Sequence, residues 1–173
     1  MNHNLHRGRN GSGVAVFVSV VCLLVVGWLA YSWWLSPERA IKRRLKDLGA
    51  TLSVPANDTE LGRVARVARL RGYLAEDIHL RAGGQQLASR EALLAVAAGF
   101  MPSGGLTVEP VDVQVAVGPD TATAEVYLDV KLTSPGSTGG PIVDAHEGKV
   151  TMAKRNGEWV ITDAESQQTL TRP

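Results

Sequence analysis

The residues best suited to chemistry lie in the segment VDAHEG, which holds Asp144, His146 and Glu147. Asp144 and His146 are two apart, so on a strand their side chains share a face. Histidine exchanges protons near neutral pH, and a carboxylate beside it can orient the ring. This makes Asp144 and His146 the candidate catalytic pair. Upstream, Glu125, Tyr127 and Asp129 also alternate along one face of a strand. Together with Asp144 and His146 they could line a polar pocket, and Tyr127, Asp129 and Trp159 are the candidate ligand-binding residues. The competing reading, a solvated face of an antiparallel sheet, is the stronger of the two for the strand residues.

Metal and cofactor chemistry find less support. Beyond residue 36 the only histidines are His79 and His146, with no H-x-x-x-H or clustered ligand motif. The single cysteine, Cys22, excludes an intrachain disulfide and a Cys-based zinc site. The runs GSG, GG and STGG lack the lysine and helix context of a phosphate loop. No cofactor and no metal are expected.

The elements that must position these residues change character along the chain. Residues 14–35 carry no charge and read as a transmembrane helix; 22 residues rise about 33 Å, enough for a hydrocarbon core of about 30 Å. Trp33 and Trp34 fall at its rim. Residues 1–13 form a polar tail with Arg7 and Arg9 and no acid; the other 16 basic residues and all 17 acids follow residue 36. That balance excludes nucleic acid as an expected partner. The basic residues Arg39, Lys42, Arg43, Arg44 and Lys46 would hold the C-terminal side inside, whereas the short leading tail suits a signal anchor with the domain translocated. The orientation taken is extracytoplasmic, on the periplasmic side of a single-pass cell-membrane protein.

Residues 36–166 read as one domain, with a polar tail at 167–173. Ile41, Leu45 and Leu48 mark a helix from Pro37 that Gly49 would end. A second helix starts near Asp58 or Thr59, with Leu61, Val64, Ala65 and Ala68, joined by Val67, as its apolar side. A short strand over Ile78–Arg81 closes at Gly83-Gly84, and Ser89 caps a third helix reaching Phe100. The period then falls to two. Leu106 and Val108 alternate, the phase slips at Glu109-Pro110, and Val111 to Val117 resume it, which predicts a bulge. A strand over Ala122–Leu132, a loop SPGSTGGP, a strand over Ile142–Lys154, a tight Asn156-Gly157 turn and a last strand from Glu158 complete the pattern. Helices first and antiparallel strands last make an α+β fold, with helices covering one face of a curved sheet.

The segments YLAEDIHLRAGG, SREALLAVAAGF, VEPVDVQVAV, TATAEVYLDVKL and HEGKVTMAKRNGEWVITDAES, in that order, resemble the nuclear transport factor 2-like superfamily over residues 38–166. The resemblance implies a cone-like domain of about three helices on a bent antiparallel sheet, with a pocket at the open end. Its members include isomerases, dehydratases, cyclases, ligand binders and assembly scaffolds, and many dimerise. The catalytic patterns of the enzymes do not transfer residue by residue: Glu76 and Asp77 occupy only a comparable region.

Three functions follow as expectations. The leading one is a membrane-anchored, non-catalytic accessory or protein-interaction module. It would hold the bilayer through residues 14–35 and pair with a second copy or another membrane or cell-envelope protein, through the helix Ser89–Phe100 or the exposed side of Ala122–Lys131. The alternatives are a small-molecule isomerase, dehydratase or cyclase using the cone pocket, and a non-enzymatic small-ligand-binding domain.

Overall fold

The computed structural model describes residues 19–28, 36–136 and 140–167, and the chain divides into two units at Ser36. The first unit is described over residues 19–28, which form a helix. Among the described residues no helix is long and apolar enough to cross a membrane. This corrects the expected transmembrane helix over 14–35, and with it the bilayer partner and the single-pass location. Residues 1–18 and 29–35, including the expected tail and rim tryptophans, lie outside the described residues, as does the C-terminal segment 168–173.

The second unit is an α+β domain. Helix α1 (Pro37–Leu52) begins with Pro37 and Glu38 in its first turn, where a fixed φ and a negative charge suit a helix start. Lys42 pairs with Glu38 at 2.7 Å one turn on. Ile41, Leu45 and Gly49 recur every four residues and are buried. Gly49 does not end the helix as expected. A Cβ there would stand 2.8 Å from Pro110 Cδ and 3.0 Å from Val108 O, so the missing side chain lets α1 close onto the neighbouring strand. Ser53 Oγ then accepts a hydrogen bond from Val108 N at 2.9 Å.

Helix α2 (Glu60–Arg71) is capped by Thr59, whose side chain accepts from Gly62 N. Its inward side differs from the expected one. Leu61 is 79% exposed and Val64 is exposed too, while Leu70 is buried. The reason is polar: Asp58 accepts two hydrogen bonds from the Arg66 guanidinium, at 2.8 and 3.0 Å. Their side chains are only 14% and 11% exposed, so this fork holds Arg66 inward, on the side that also carries Val67 and Leu70, while Arg69 and Arg71 stay exposed. Helix α3 (Arg90–Gly99) starts at the Ser89 cap and buries Leu94, leaving Val96 and Phe100 exposed.

Among the described residues there are six strands: β1 (Leu74–Ala82) and β2 (Gln85–Leu87) ahead of α3, then β3 (Thr107–Val117), β4 (Thr123–Pro135), β5 (Pro141–Arg155) and β6 (Glu158–Gln167). They form one sheet in the order β2-β1-β6-β5-β4-β3, antiparallel except where β1 pairs with β6. The tight turns expected at Gly83-Gly84 and Asn156-Gly157 are present, and all four residues take positive φ. The predicted slip in β3 is a bulge: Pro110 pairs with Val130 and Asp112 with Asp129, which leaves Val111 looped out and 66% exposed. The core joins Ile41 and Leu45 of α1 to Ile78, Ala124, Val126, Met152, Trp159 and Ile161 of the sheet.

Two outcomes test this packing. Gly49→Val should lower stability by about 2 kcal/mol, because an overpacked contact must push α1 off β3; chemical denaturation measures it. The Arg66 guanidinium holds Asp58 below the ordinary aspartate value of 3.8. A depressed folded pKa contributes stability that is present above the unfolded value and lost as pH falls through the folded one. Acidification below about pH 4 should therefore narrow the stability gap between the native chain and Asp58→Asn.

Candidate functional site

The β4–β5 pairing decides which candidate residues can meet. Ala124 faces Met152, Val126 faces Val150, Leu128 faces Gly148, Val130 faces His146 and Leu132 faces Asp144. Directly opposed residues, and residues two apart, share a sheet face. Asp144 and His146 therefore lie on the same face as buried Val126 and Met152, the face that carries the core. Burial decreases along it, from Met152 and Val126 to half-buried Val130 and Leu132. At that far end the side chains of His146 and Asp144 are 41% and 64% exposed.

The expected pair is formed. His146 Nε2 lies 2.9 Å from Asp144 Oδ2, and Ala145 N donates to Asp144 Oδ1 at 2.9 Å. With Asp144 ionised, a neutral His146 ring must donate from Nε2, which leaves the lone pair on Nδ1. That arrangement is capable of accepting a proton. It lacks the dry, shaped surroundings that turn such a pair into a strong catalyst.

The other candidates are elsewhere. Tyr127 and Asp129 point to the opposite face of the sheet, where Lys149 sits over the Tyr127 ring at 5.4 Å and also pairs with Glu125 at 3.1 Å. A pocket shared by Tyr127, Asp129, Asp144 and His146 is thus excluded by strand parity. On this outer face Asp112, Asp129 and Glu147 stand in register across three strands, a solvated acidic row. Trp159 is buried in the core among Ile41, Met152 and Ile161 and is a packing residue.

An open cleft of about 960 Å³ lies on the flank between α1 and the edge strand β3, and neither Asp144 nor His146 lines it. Its size falls within the usual range for small-ligand pockets. Lys42, Lys46 and Ala50 of α1 form one wall; Val108, Val111 and Asp112 of β3 contribute the other. The Gly49–Pro110 contact brings the walls together, and the bulge turns Val111 outward as a lip. The sequence carried one signal for this site, the phase slip at Pro110. The role of Gly49 was hidden, because a glycine near a helix end looks like a terminator whether or not a neighbour packs on it. Among the described residues no cluster of three or more metal-ligating side chains occurs.

No protein-family model matches the chain, and no curated protein matches it. Solved structures do share its fold. An NTF2-like protein with a cystatin-like fold from Novosphingobium aromaticivorans has a TM-score of 0.64 at 13% identity, over 85% of this chain and 91% of that one. The association domain of the calcium/calmodulin-dependent protein kinase II of Caenorhabditis elegans has a TM-score of 0.60 at 11% identity, over 75% and 94%. A Novosphingobium aromaticivorans protein named for scytalone dehydratase has a TM-score of 0.60 at 17% identity, over 76% and 83%. Likeness at these identities shows the fold alone.

The contrast between core and exposed candidates is measurable. Trp159→Ala should cost roughly 3–5 kcal/mol, the range for emptying a buried aromatic site. Asp144→Ala and His146→Ala should each stay within about 0.5 kcal/mol of the native chain in the same denaturation assay.

Proposed function

We propose that this domain is a non-catalytic module that binds a small amphipathic ligand in the α1–β3 cleft. The observation that carries the proposal is the cleft itself, about 960 Å³, with a helix wall that bears Lys42 and Lys46 and a strand wall that mixes Val108, Pro110, Val111 and Val113 with Thr107, Glu109 and Asp112. Lys42 is engaged by Glu38 and Glu109 by Lys131, at 2.7 and 3.9 Å. Lys46 is the remaining cation on the helix wall. The matching ligand has an apolar body against Val108 and Val111 and one anionic head toward Lys46. Fold-mates named for a dehydratase and for a kinase association domain give no choice between catalysis and binding, because function resides in the site and not the fold. The expected accessory module lost its basis with the membrane span.

One observation favours a second reading. The Asp144–His146 contact of 2.9 Å lies on the core face, where an isomerase, dehydratase or cyclase would place a proton-transfer pair. Its exposure weighs against it.

Calorimetric titration with 2-naphthoate and decanoate separates the two. Binding should weaken by about tenfold in Lys46→Ala, the loss expected for one charge-assisted contact. It should disappear in Ala50→Trp, which fills the cleft, and persist in His146→Ala. Loss of binding in His146→Ala with retention in Ala50→Trp would overturn the proposal in favour of the second reading.

A further inference from the structure

A second cleft, of about 570 Å³, opens where the end of α2, the start of β1, the first residue of α3 and the β5–β6 turn converge. Three arginines from distant parts of the chain line it: Arg71, Arg90 and Arg155. Arg44 borders it, donating to Gly72 O at 2.6 Å and Glu158 Oε2 at 3.0 Å, both from cleft-lining residues, and stacking on Tyr73 at 4.3 Å.

Each guanidinium has an exposed carboxylate partner, and two of these, Glu76 and Glu158, line the cleft as well. Glu76, Asp77, Glu91 and Glu158 are all exposed, whereas the Arg90 side chain is only 18% exposed. Arg90 is also the most loosely held. It reaches Glu76 at 3.3 Å and Glu91 at 3.5 Å, longer than the 2.7–2.9 Å usual for a charge-assisted hydrogen bond. Its Nε is buried and makes no hydrogen bond, its nearest acceptor being Glu91 Oε1 at 3.5 Å, and the buried Nε of the bordering Arg44 makes none either. Among the described residues these are the buried side-chain polar atoms that make no hydrogen bond; Arg90 lines this cleft and Arg44 borders it. A buried donor without an acceptor is costly and calls for an explanation. Arg90 also begins α3, whose positive end adds to the field.

We propose that this cleft binds a compact phosphate-class anion of two or more charges, which takes Arg90 as its central partner and Arg71 and Arg155 as its flanks. The anion displaces the Glu76 carboxylate from Arg90 and satisfies its remaining donors. Glu76 therefore acts as a built-in competitor for the site. This cleft shares no lining residue with the α1–β3 cleft, so the two readings stand or fall separately.

The test is a titration of the full chain with inorganic pyrophosphate at constant ionic strength, followed by amide chemical shifts. Saturable binding should appear with shifts centred on Arg71, Ala75 and Arg90. Arg90→Gln should weaken it by about tenfold or more, and Glu76→Gln should tighten it by several-fold, since the competing charge is gone. A merely structural salt-bridge network does not produce tighter binding when a partner is removed. If Arg90→Gln fails to fold, Arg155→Gln, whose side chain is half exposed, serves in its place. No saturable binding up to about 10 mM in either the native chain or Glu76→Gln would overturn the proposal, as would equal affinity in the arginine variant.

Discussion

The domain depends on one close contact, the seating of α1 on the edge strand β3. Ile41 and Leu45 supply the apolar area that draws the helix onto the sheet, and Gly49 supplies the clearance. Ser53 then takes the Val108 amide, which would otherwise be an open donor on a sheet edge. Helix and strand are thereby fixed in register, and the groove beside the contact is a consequence of that geometry. A larger residue at position 49 would alter the core and the cleft together.

The sheet sorts the polar residues by parity. Because β4 and β5 pair without a slip along their whole length, every side chain of the hairpin is assigned to one face by its number. Asp144 and His146 fall on the core face and Tyr127 and Asp129 on the outer one, and no local adjustment can bring them together. The core fills one end of its face with Val126, Met152, Trp159 and Ile161, leaving the Asp144–His146 pair beyond the packed region.

Much of this was legible in the residues. The alternation of Ala124 to Leu132, the Asn156-Gly157 turn, the Ser89 cap and the slip at Pro110 each have a local cause, and each appears where local chemistry puts it. The errors arose where distant partners decide. The stripe Leu61-Val64-Ala65-Ala68 has helical spacing, yet the Asp58–Arg66 fork turns the other side of α2 inward. Parity separated Tyr127 from His146 only once the strand pairing was known. The apolar run at 14–35 has a composition suited to a span, whereas the described helix covers residues 19–28. The arginine cleft had no signal in the sequence, since Arg71, Arg90 and Arg155 come from three separate elements.

The account turns on where a small amphipathic acid rests. The most direct measurement is of intermolecular nuclear Overhauser contacts between bound 2-naphthoate and the methyl groups of the domain. Contacts from the ring protons to Val108 and Val111 are the predicted result. Contacts to Val130 and Leu132 beside His146, with none to Val111, would contradict it.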